Sequence, residues 1–245
     1  MRDLVYEGMA QHEGVHWWFV GRRRILEKAL ETLALPANAR VLEVGAGTGG
    51  NIALLQRFGT VSAVEPNPRA QHWLAAKTGL AAIDCTLPDT TPLRGMQFDL
   101  IAMFDVLEHI EDAVGALATL ASHLSVGGRF LLTVPAHPFL WSAHDESLHH
   151  FRRYNRKTLS STANAAGLKI IQLRYFNTLL FPAVVAARAV LNLLSLQAVD
   201  EERVPPPPLN AVLAAVLTAE RHFVLRCPMP FGVSLLAVLA PQEMA

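Results

Sequence analysis

The sequence predicts a parallel α/β sheet with helices on both faces, and three observations predict it. Segments of strand and helix character alternate five times, the order that builds parallel sheets through crossover helices. "FDLIAMFDV" (98–106) is apolar almost throughout, as a strand covered on both faces must be. "RVLEVGAGTGGN" (40–51) reads as a strand that breaks into a glycine turn.

The elements follow in order. Apolar positions Trp18, Ile25, Leu26, Leu30 and Leu33 recur at helical spacing, so 15–35 is a helix, which Pro36 stops. Residues 41–44 form a short buried strand, and 51–58 a helix that Gly59 ends. "TVSAVEPN" is a second strand terminating at Glu65, 68–77 a helix, and "GLAAIDC" (79–85) a third strand. Residues 98–106 are the fourth, and 111–124 a helix closed by Gly127-Gly128. "RFLLTVP", "LKIIQLRYF" and "GVSLLAVLA" supply strands five, six and seven. Between the last two lies an all-helical insertion, 176–227, whose "PPPP" (205–208), following "DEER", makes a stiff exposed connector. One domain is expected, with a helical cap (1–36), a binding core (37–175), a helical lid (176–227) and the last strand (228–245). The lid should lie over the carboxyl ends of the strands, where open α/β sheets bind ligands.

Composition narrows the function classes. With 51% hydrophobic and 17% charged residues, the 245-residue chain is globular and not disordered. Lys plus Arg equals Asp plus Glu at 21 each, which gives no overall field for nucleic acid, and the Arg22-Arg23-Arg24 triplet is weak support for it. Two cysteines, Cys85 and Cys227, are too few for a disulfide framework and fit a reducing cytoplasm. "MRDLVYEGMAQHEG" lacks the apolar run of a signal peptide, so a cytoplasmic location is expected. "LLFPAVVAARAVLNLLSL" (179–196) has about the length of a membrane span, but Pro182, Arg188 and Asn192 interrupt it. Arg188 and Asn192 share a helical face, so a packed helix with one wet edge is expected and no integral membrane segment.

Gly45, Gly47 and Gly50 satisfy G-x-G-x-x-G, the turn that cradles a dinucleotide pyrophosphate. Three features point elsewhere. Glu43, two residues before Gly45, would repel a pyrophosphate and suits a cationic amine. A long helix precedes the first strand, and a Val- and Leu-rich strand follows the helical insertion. All three suit S-adenosylmethionine, which carries an ammonium and a cationic sulfur. Glu65, at the second strand's tip, is placed to accept both ribose hydroxyls, a role an NAD ribose would equally fill.

"VLEVGAGTGG", "VEPN", "FDLIAMFDVLEHIED" and "LSVGGRFLLTVPA" resemble, in order and spacing over residues 40–136, the class I S-adenosylmethionine-dependent methyltransferases. The flanks "HWWFVGRRRIL", "LWSAHDESLHHFRRYNRKTL", "YFNTLLFP" and "CPMPFGVSLLAV" resemble a small-molecule (type 11-like) subfamily and extend the likeness over nearly the whole chain. The resemblance implies a Rossmann-like, seven-stranded methyltransferase sheet. It also implies that Glu43, Gly45, Ala46 and Gly47 hold the methionine moiety and Glu65 with Pro66 the ribose. Thr86 and Leu87 would border adenine, and Phe104 and Asp105 would close the site near the sulfonium. Where the family often has Gly-Asp after the third strand, this chain has Ile83-Asp84-Cys85.

Methyl transfer is an in-line displacement with a good leaving group, so alignment and desolvation carry it, and a base serves only acceptors that must lose a proton. Asp105, Glu108 and His109 fall at i, i+3 and i+4 and so on one helical side. His109 is the substrate-side base or hydrogen-bond partner; a divalent cation on this cluster is the weaker reading, and no metal is assigned. His137, His144, His149 and His150 follow the fifth strand without zinc-motif spacing. His144 joins His109 as a catalytic candidate, and His137, Trp141, Tyr154 and Phe176 are candidate substrate contacts. Trp18 is expected at the cofactor cleft, and Arg22 or Arg23, with Arg23 preferred, at the methionine carboxylate. Arg152 and Arg153 can serve substrate or solvent alike.

The reading is an S-adenosylmethionine-dependent methyltransferase, releasing S-adenosylhomocysteine (SAH), that acts on oxygen or nitrogen of a small planar aromatic or heterocyclic metabolite. A quinone-like or lipid-linked acceptor at a membrane surface is the first alternative. A non-catalytic partner-binding module and a dehydrogenase are the others.

Overall fold

The computed structural model describes residues 3–193 and 203–242. Strands β1 (Arg40–Val44), β2 (Thr60–Val64), β3 (Phe98–Phe104), β4 (Leu124–Pro135), β5 (Leu168–Phe176) and β6 (Ser234–Pro241) form one sheet in the order β2-β1-β3-β4-β6-β5. β2, β1, β3 and β4 are mutually parallel; β6 runs antiparallel between β4 and β5. The sheet is therefore mixed and has six strands among the described residues, not seven.

The missing strand is 79–85. It meets the sheet at Ile83 alone, whose amide donates to Ala63 O (2.7 Å) and whose carbonyl accepts from Glu65 N (3.2 Å). Ala81 and Ala82 offer little to pack, and Cys85 already turns away, its thiol donating to Asp89 O. The reversed strand has a topological cause. β5 ends at the carboxyl edge of the sheet and the helical insertion stays there, so β6 must re-enter from that edge.

The helices are α1 (Asp3–His12), α2 (Trp17–Thr32), α3 (Ile52–Leu55), α4 (Pro68–Thr78), α5 (Ala113–Ala121), α6 (Ala143–Ser147), α7 (Arg156–Ala165), α8 (Phe181–Leu193) and α9 (Pro207–Ala219). Their ends follow local chemistry. Asn67 Oδ1 accepts from the amides of Arg69 (2.9 Å) and Ala70 (3.2 Å), Pro68 occupies the first turn, and Gly79 ends α4 at φ +73°. His16 caps α2, so that helix starts at Trp17.

Strand alternation sorts the core onto two faces. Leu42, Val44, Ile101, Met103 and Leu132 pack with Leu117 and Leu120 of α5 and Leu159 of α7. Val41, Leu100, Ala102, Leu131 and Val238 pack with Ile25, Leu26 and Leu30 of α2, Leu74 of α4 and Leu217 of α9.

Within 179–196, α8 runs to Leu193; residues 194–196, the side chain of Asn192 and "DEE" (200–202) lie outside the described residues. The wet edge expected at Arg188 is reversed. Its side chain, 11% exposed, turns inward near Asp145 and donates to Leu140 O, while Val190 is exposed. Two buried acceptors outbid solvent for the guanidinium. No helix among the described residues is long and apolar enough to cross a membrane.

Candidate functional site

From β1 the chain steps outward to β2 and returns across β1 to β3, so the strand order reverses between β1 and β3. A crevice opens at the carboxyl ends of such a pair. Here it is a cavity of about 1100 Å³.

The glycine turn forms one wall. The amides of Gly45 and Ala46 both donate to Val64 O (2.9 and 3.0 Å), which folds the turn back onto the tip of β2. Gly45 adopts φ +67°, and a Cβ there would lie 2.6 Å from Val106 Cγ2, so only glycine fits. The left-handed glycines of the turn are Gly45, Gly47 and Gly49.

Two carboxylates flank this turn. Glu43 is buried; Oε1 accepts from Asn51 Nδ2 (2.8 Å), Oε2 finds no partner among the described residues, and burial pushes its carboxyl up to about 7. Glu65 lines the cavity while accepting from the amides of Gly47 (2.8 Å) and Asn67 (2.9 Å). Burial raises its pKa, and the two amides pull it back down.

Arg22 spans the cavity floor. It is ion-paired with Asp105, whose backbone sits at φ +57° and whose other oxygen accepts from Thr133 Oγ1 (3.0 Å). The guanidinium lies 5.9 Å from the Trp18 ring centre and 5.6 Å from that of Phe19, and its Nε is buried without an acceptor. Trp18 stacks on Phe176 at 5.8 Å and 11° between planes.

The opposite wall carries Glu108, His109, His144, Leu148, His150, Phe151 and Arg153, with Val184, Ala187 and Arg188 of α8. Both Glu108 oxygens are buried with no hydrogen-bond partner in any other described residue. Burial, with Asp105 nearby, holds that carboxyl well above its usual range. Burial and His150 push His109 down to about 4, so its imidazole is neutral at pH 7. Asp145 anchors this side, accepting from His150 Nδ1 (2.8 Å), Arg153 Nε (2.7 Å) and Ser142 N (2.9 Å).

Of the residues expected from sequence, the cavity brings together Trp18, Gly45, Gly47, Glu65, Pro66, Thr86, Leu87, Phe104, Asp105, His109 and His144. Glu43 and Ala46 stand behind the glycine turn, outside the lining. Arg23 is not in the lining either; it donates to Glu13 O (2.6 Å), and Arg22 holds the inward position. The four expected substrate contacts are also placed behind the wall. His137 stacks on Tyr175 (5.0 Å), Trp141 points its indole at Glu146, Tyr154 is buried, and Phe176 backs Trp18. Sequence reading placed α1 in the helical cap but gave it no site residue, whereas its Tyr6, Met9 and His12 reach the cavity; it likewise assigned no site role to His150 and Arg188. The i, i+3 pair Tyr6 and Met9 was the available signal for α1.

A switch-point crevice with a glycine turn between two strand-tip carboxylates defines an enzyme that holds a nucleoside-bearing cofactor. A family model described as "Methyltransferase domain" matches residues 19–173, more than half of the chain, and the chain belongs to that family. It is an S-adenosylmethionine-dependent methyltransferase. Among solved structures the chain is similar to one from the Haloferax volcanii complex between the Trm112 methyltransferase activator and its methyltransferase, at 18% identity and TM-score 0.61, covering 99% of this chain and 96% of that one. An S-adenosylmethionine-dependent methyltransferase from Clostridium acetobutylicum shares 11% identity at TM-score 0.58, over 90% of this chain and 91% of that one. Magnesium protoporphyrin IX methyltransferase from Synechocystis, solved with bound SAH, shares 17% identity at TM-score 0.50, over 63% of this chain and 77% of that one. At these identities the likeness is one of fold. A search of curated proteins returns no match.

Two buried atoms beside the cavity suit the donor's amino-acid end. Glu43 Oε2, behind the glycine turn, suits an ammonium, and Arg22 Nε suits a carboxylate; neither has a partner among the described residues.

Proposed function

We propose that the chain methylates an oxygen or nitrogen of a small planar aromatic or heterocyclic acceptor held between the glycine turn and the wall of Glu108, His109, His144 and Phe151. Bound S-adenosylmethionine supplies an electrophilic methyl group on a sulfonium. Glu43 and Arg22 hold its amino-acid end, Glu65 with Pro66 the ribose, and Thr86 with Leu87 the adenine edge. Trp18 and Phe104 wall the reacting centre and exclude water from it.

His109, neutral at pH 7, accepts a hydrogen bond from the acceptor's O–H or N–H and orients its lone pair along the line of transfer. With a conjugate acid at about 4 it is a weak proton acceptor, so His144, across the same wall, takes the base role. Helices α8 and α9 act as a lid, and Arg188, tied to Leu140, fixes α8 over the acceptor end.

The observation carrying this reading is a single cavity of about 1100 Å³ that joins both walls. Drug-sized ligands occupy about 300–1,000 Å³, so this one has room for donor and acceptor together. The test is calorimetry with SAH, followed by mass spectrometry of phenols, hydroxyquinolines and heteroaromatic amines incubated with the donor. Gain of one methyl group on a planar acceptor is expected; donor binding with no such product overturns the acceptor class.

Exposed Val190, Leu209 and Val212 on the insertion favour a second reading, a quinone-like or lipid-linked acceptor drawn from a membrane surface. Methylation of a prenylated phenol only when it is presented in vesicles would select it.

A further inference from the structure

We propose that Glu108, His109 and His150 form a binding site for one divalent first-row transition-metal ion on the acceptor wall of the cavity. Each of the three offers one ligand atom, and these atoms lie within 4.8 Å of one another. Ligands of a tetrahedral ion with bonds of about 2.1 Å stand roughly 3.4 Å apart, so small side-chain rotations close the site. Two imidazoles and one carboxylate suit ions of borderline softness.

Glu108 is the second, independent sign of a ligand. Its side chain is fully buried, lines the cavity, and presents two oxygens that no other described residue satisfies. An uncompensated buried carboxylate is costly, and the guanidiniums of Arg22 and Arg153 are committed to Asp105 and Asp145. A dication supplies the missing charge.

One imidazole is oriented from behind, as metal-bound histidines are. His150 Nδ1 bonds the Asp145 carboxylate at 2.8 Å, which leaves Nε2 for the ion. The two rings meet edge to face with centroids 4.6 Å apart. Backbone bonds hold the two ligand-bearing segments together, since Phe151 N donates to Glu108 O (2.8 Å). Asp145 is thus a positioning residue for His150.

Three protein ligands leave coordination positions open toward the cavity. An acceptor oxygen can occupy one, the ion then taking the orienting role that His109 has in the metal-free chain; this last step rests on the methyl-transfer reading, whereas cation binding does not.

Co²⁺ alone is the probe. Chelator-treated full-length protein titrated with Co²⁺ is expected to develop visible d–d absorption that saturates at one ion per chain. Glu108→Gln preserves shape and removes the charge, so it should fold, and it should weaken Co²⁺ binding more than about tenfold; Asp145→Asn should weaken it about 10–100-fold. If Asp145→Asn unfolds, His150→Gln takes its place, with the same loss expected. Absence of a saturable spectrum in the wild-type chain, or a spectrum indifferent to both Glu108→Gln and His150→Gln, overturns the site. SAH calorimetry on the same samples separates the readings. Heat from SAH without a Co²⁺ signal removes the cation site alone, and a Co²⁺ signal without SAH heat removes the donor reading alone.

Discussion

Glu65 Oε2 accepts a hydrogen bond from the Gly47 amide at 2.8 Å, so the acid at the tip of β2 holds the glycine turn in shape. The same carboxylate accepts from Asn67 N at 2.9 Å, and each oxygen keeps a second lone pair toward the cavity. Glu65 therefore holds the turn while lining the cavity.

Glu65→Ala should weaken SAH binding by about 1.5–3 kcal/mol, the range for hydrogen bonds to a charged group. It should also lower Tm, because two amides lose their acceptor. Glu65→Gln retains an acceptor for one amide and should lose less of both. Calorimetry and thermal unfolding on the three proteins check this; an unchanged dissociation constant in Glu65→Ala removes the ribose role.

Glu43 makes pH a probe of the methionine end. Its carboxyl titrates at about 7 in the folded chain, above the unfolded value of 4.5. The folded state therefore binds the extra proton. That stabilisation is fully present below pH 4.5 and is lost as pH rises through about 7, on the order of 3 kcal/mol in all. A ligand ammonium favours the ionised form, so SAH affinity should rise with pH, at up to tenfold per unit, and level off above about 7. Glu43→Gln should flatten both profiles. Equal slopes in wild type and variant would sink the assignment.

Arg22 and Asp105 form an ion pair whose side chains are 7% and 23% exposed. Removing one partner strands the other beside Glu108. Arg22→Met should destabilise the fold by about 1–3 kcal/mol, below the fully buried range because Asp105 retains some solvent. Adding Asp105→Asn should return part of that, with a coupling of about 0.5–3 kcal/mol in a urea-unfolding cycle. Additive losses would show the pair to be unimportant for stability.

How much of this was legible depended on how local the cause was. The glycine turn, Glu43, Glu65 and Asp105 sit at strand ends, where hydrophobic runs and breakers fix position; Gly45, Gly47, Glu65 and Asp105 line the crevice, and Glu43 stands behind the turn. Strand 79–85 was misread because its apolar run is short and centred on two alanines, and whether an edge segment pairs depends on its neighbour and not on its own pattern. The choice of Arg22 over Arg23 turns on about 100° of helix rotation, which three consecutive arginines cannot reveal. His137, Trp141, Tyr154 and Phe176 have the chemistry of a pocket, yet packing buries or diverts them. His150 gains its place only through Asp145 and the Phe151–Glu108 backbone bond, contacts that no spacing rule anticipates.

The docking of α9 on α2 can be tested by a change of sign. A Cβ on Gly21 would lie 2.7–2.8 Å from Leu217 Cβ, Cγ and Cδ2, and Leu217 is fully buried. Those atoms belong to the base of the side chain, so rotating its tip cannot relieve the clash. Gly21→Ala gains up to about 1 kcal/mol of helix propensity but incurs about 1–3 kcal/mol of overpacking, so it should destabilise. Leu217→Gly alone should cost at least about 2–5 kcal/mol through the cavity it opens, plus about 1 kcal/mol for a glycine inside α9. In that background Cβ, Cγ and Cδ2 of residue 217 are all gone while the propensity gain at 21 remains, so Gly21→Ala should now stabilise by up to about 1 kcal/mol. Denaturant unfolding of the four proteins reads the reversal; an alanine at 21 that acts alike in both backgrounds would show that α9 does not rest on that turn of α2.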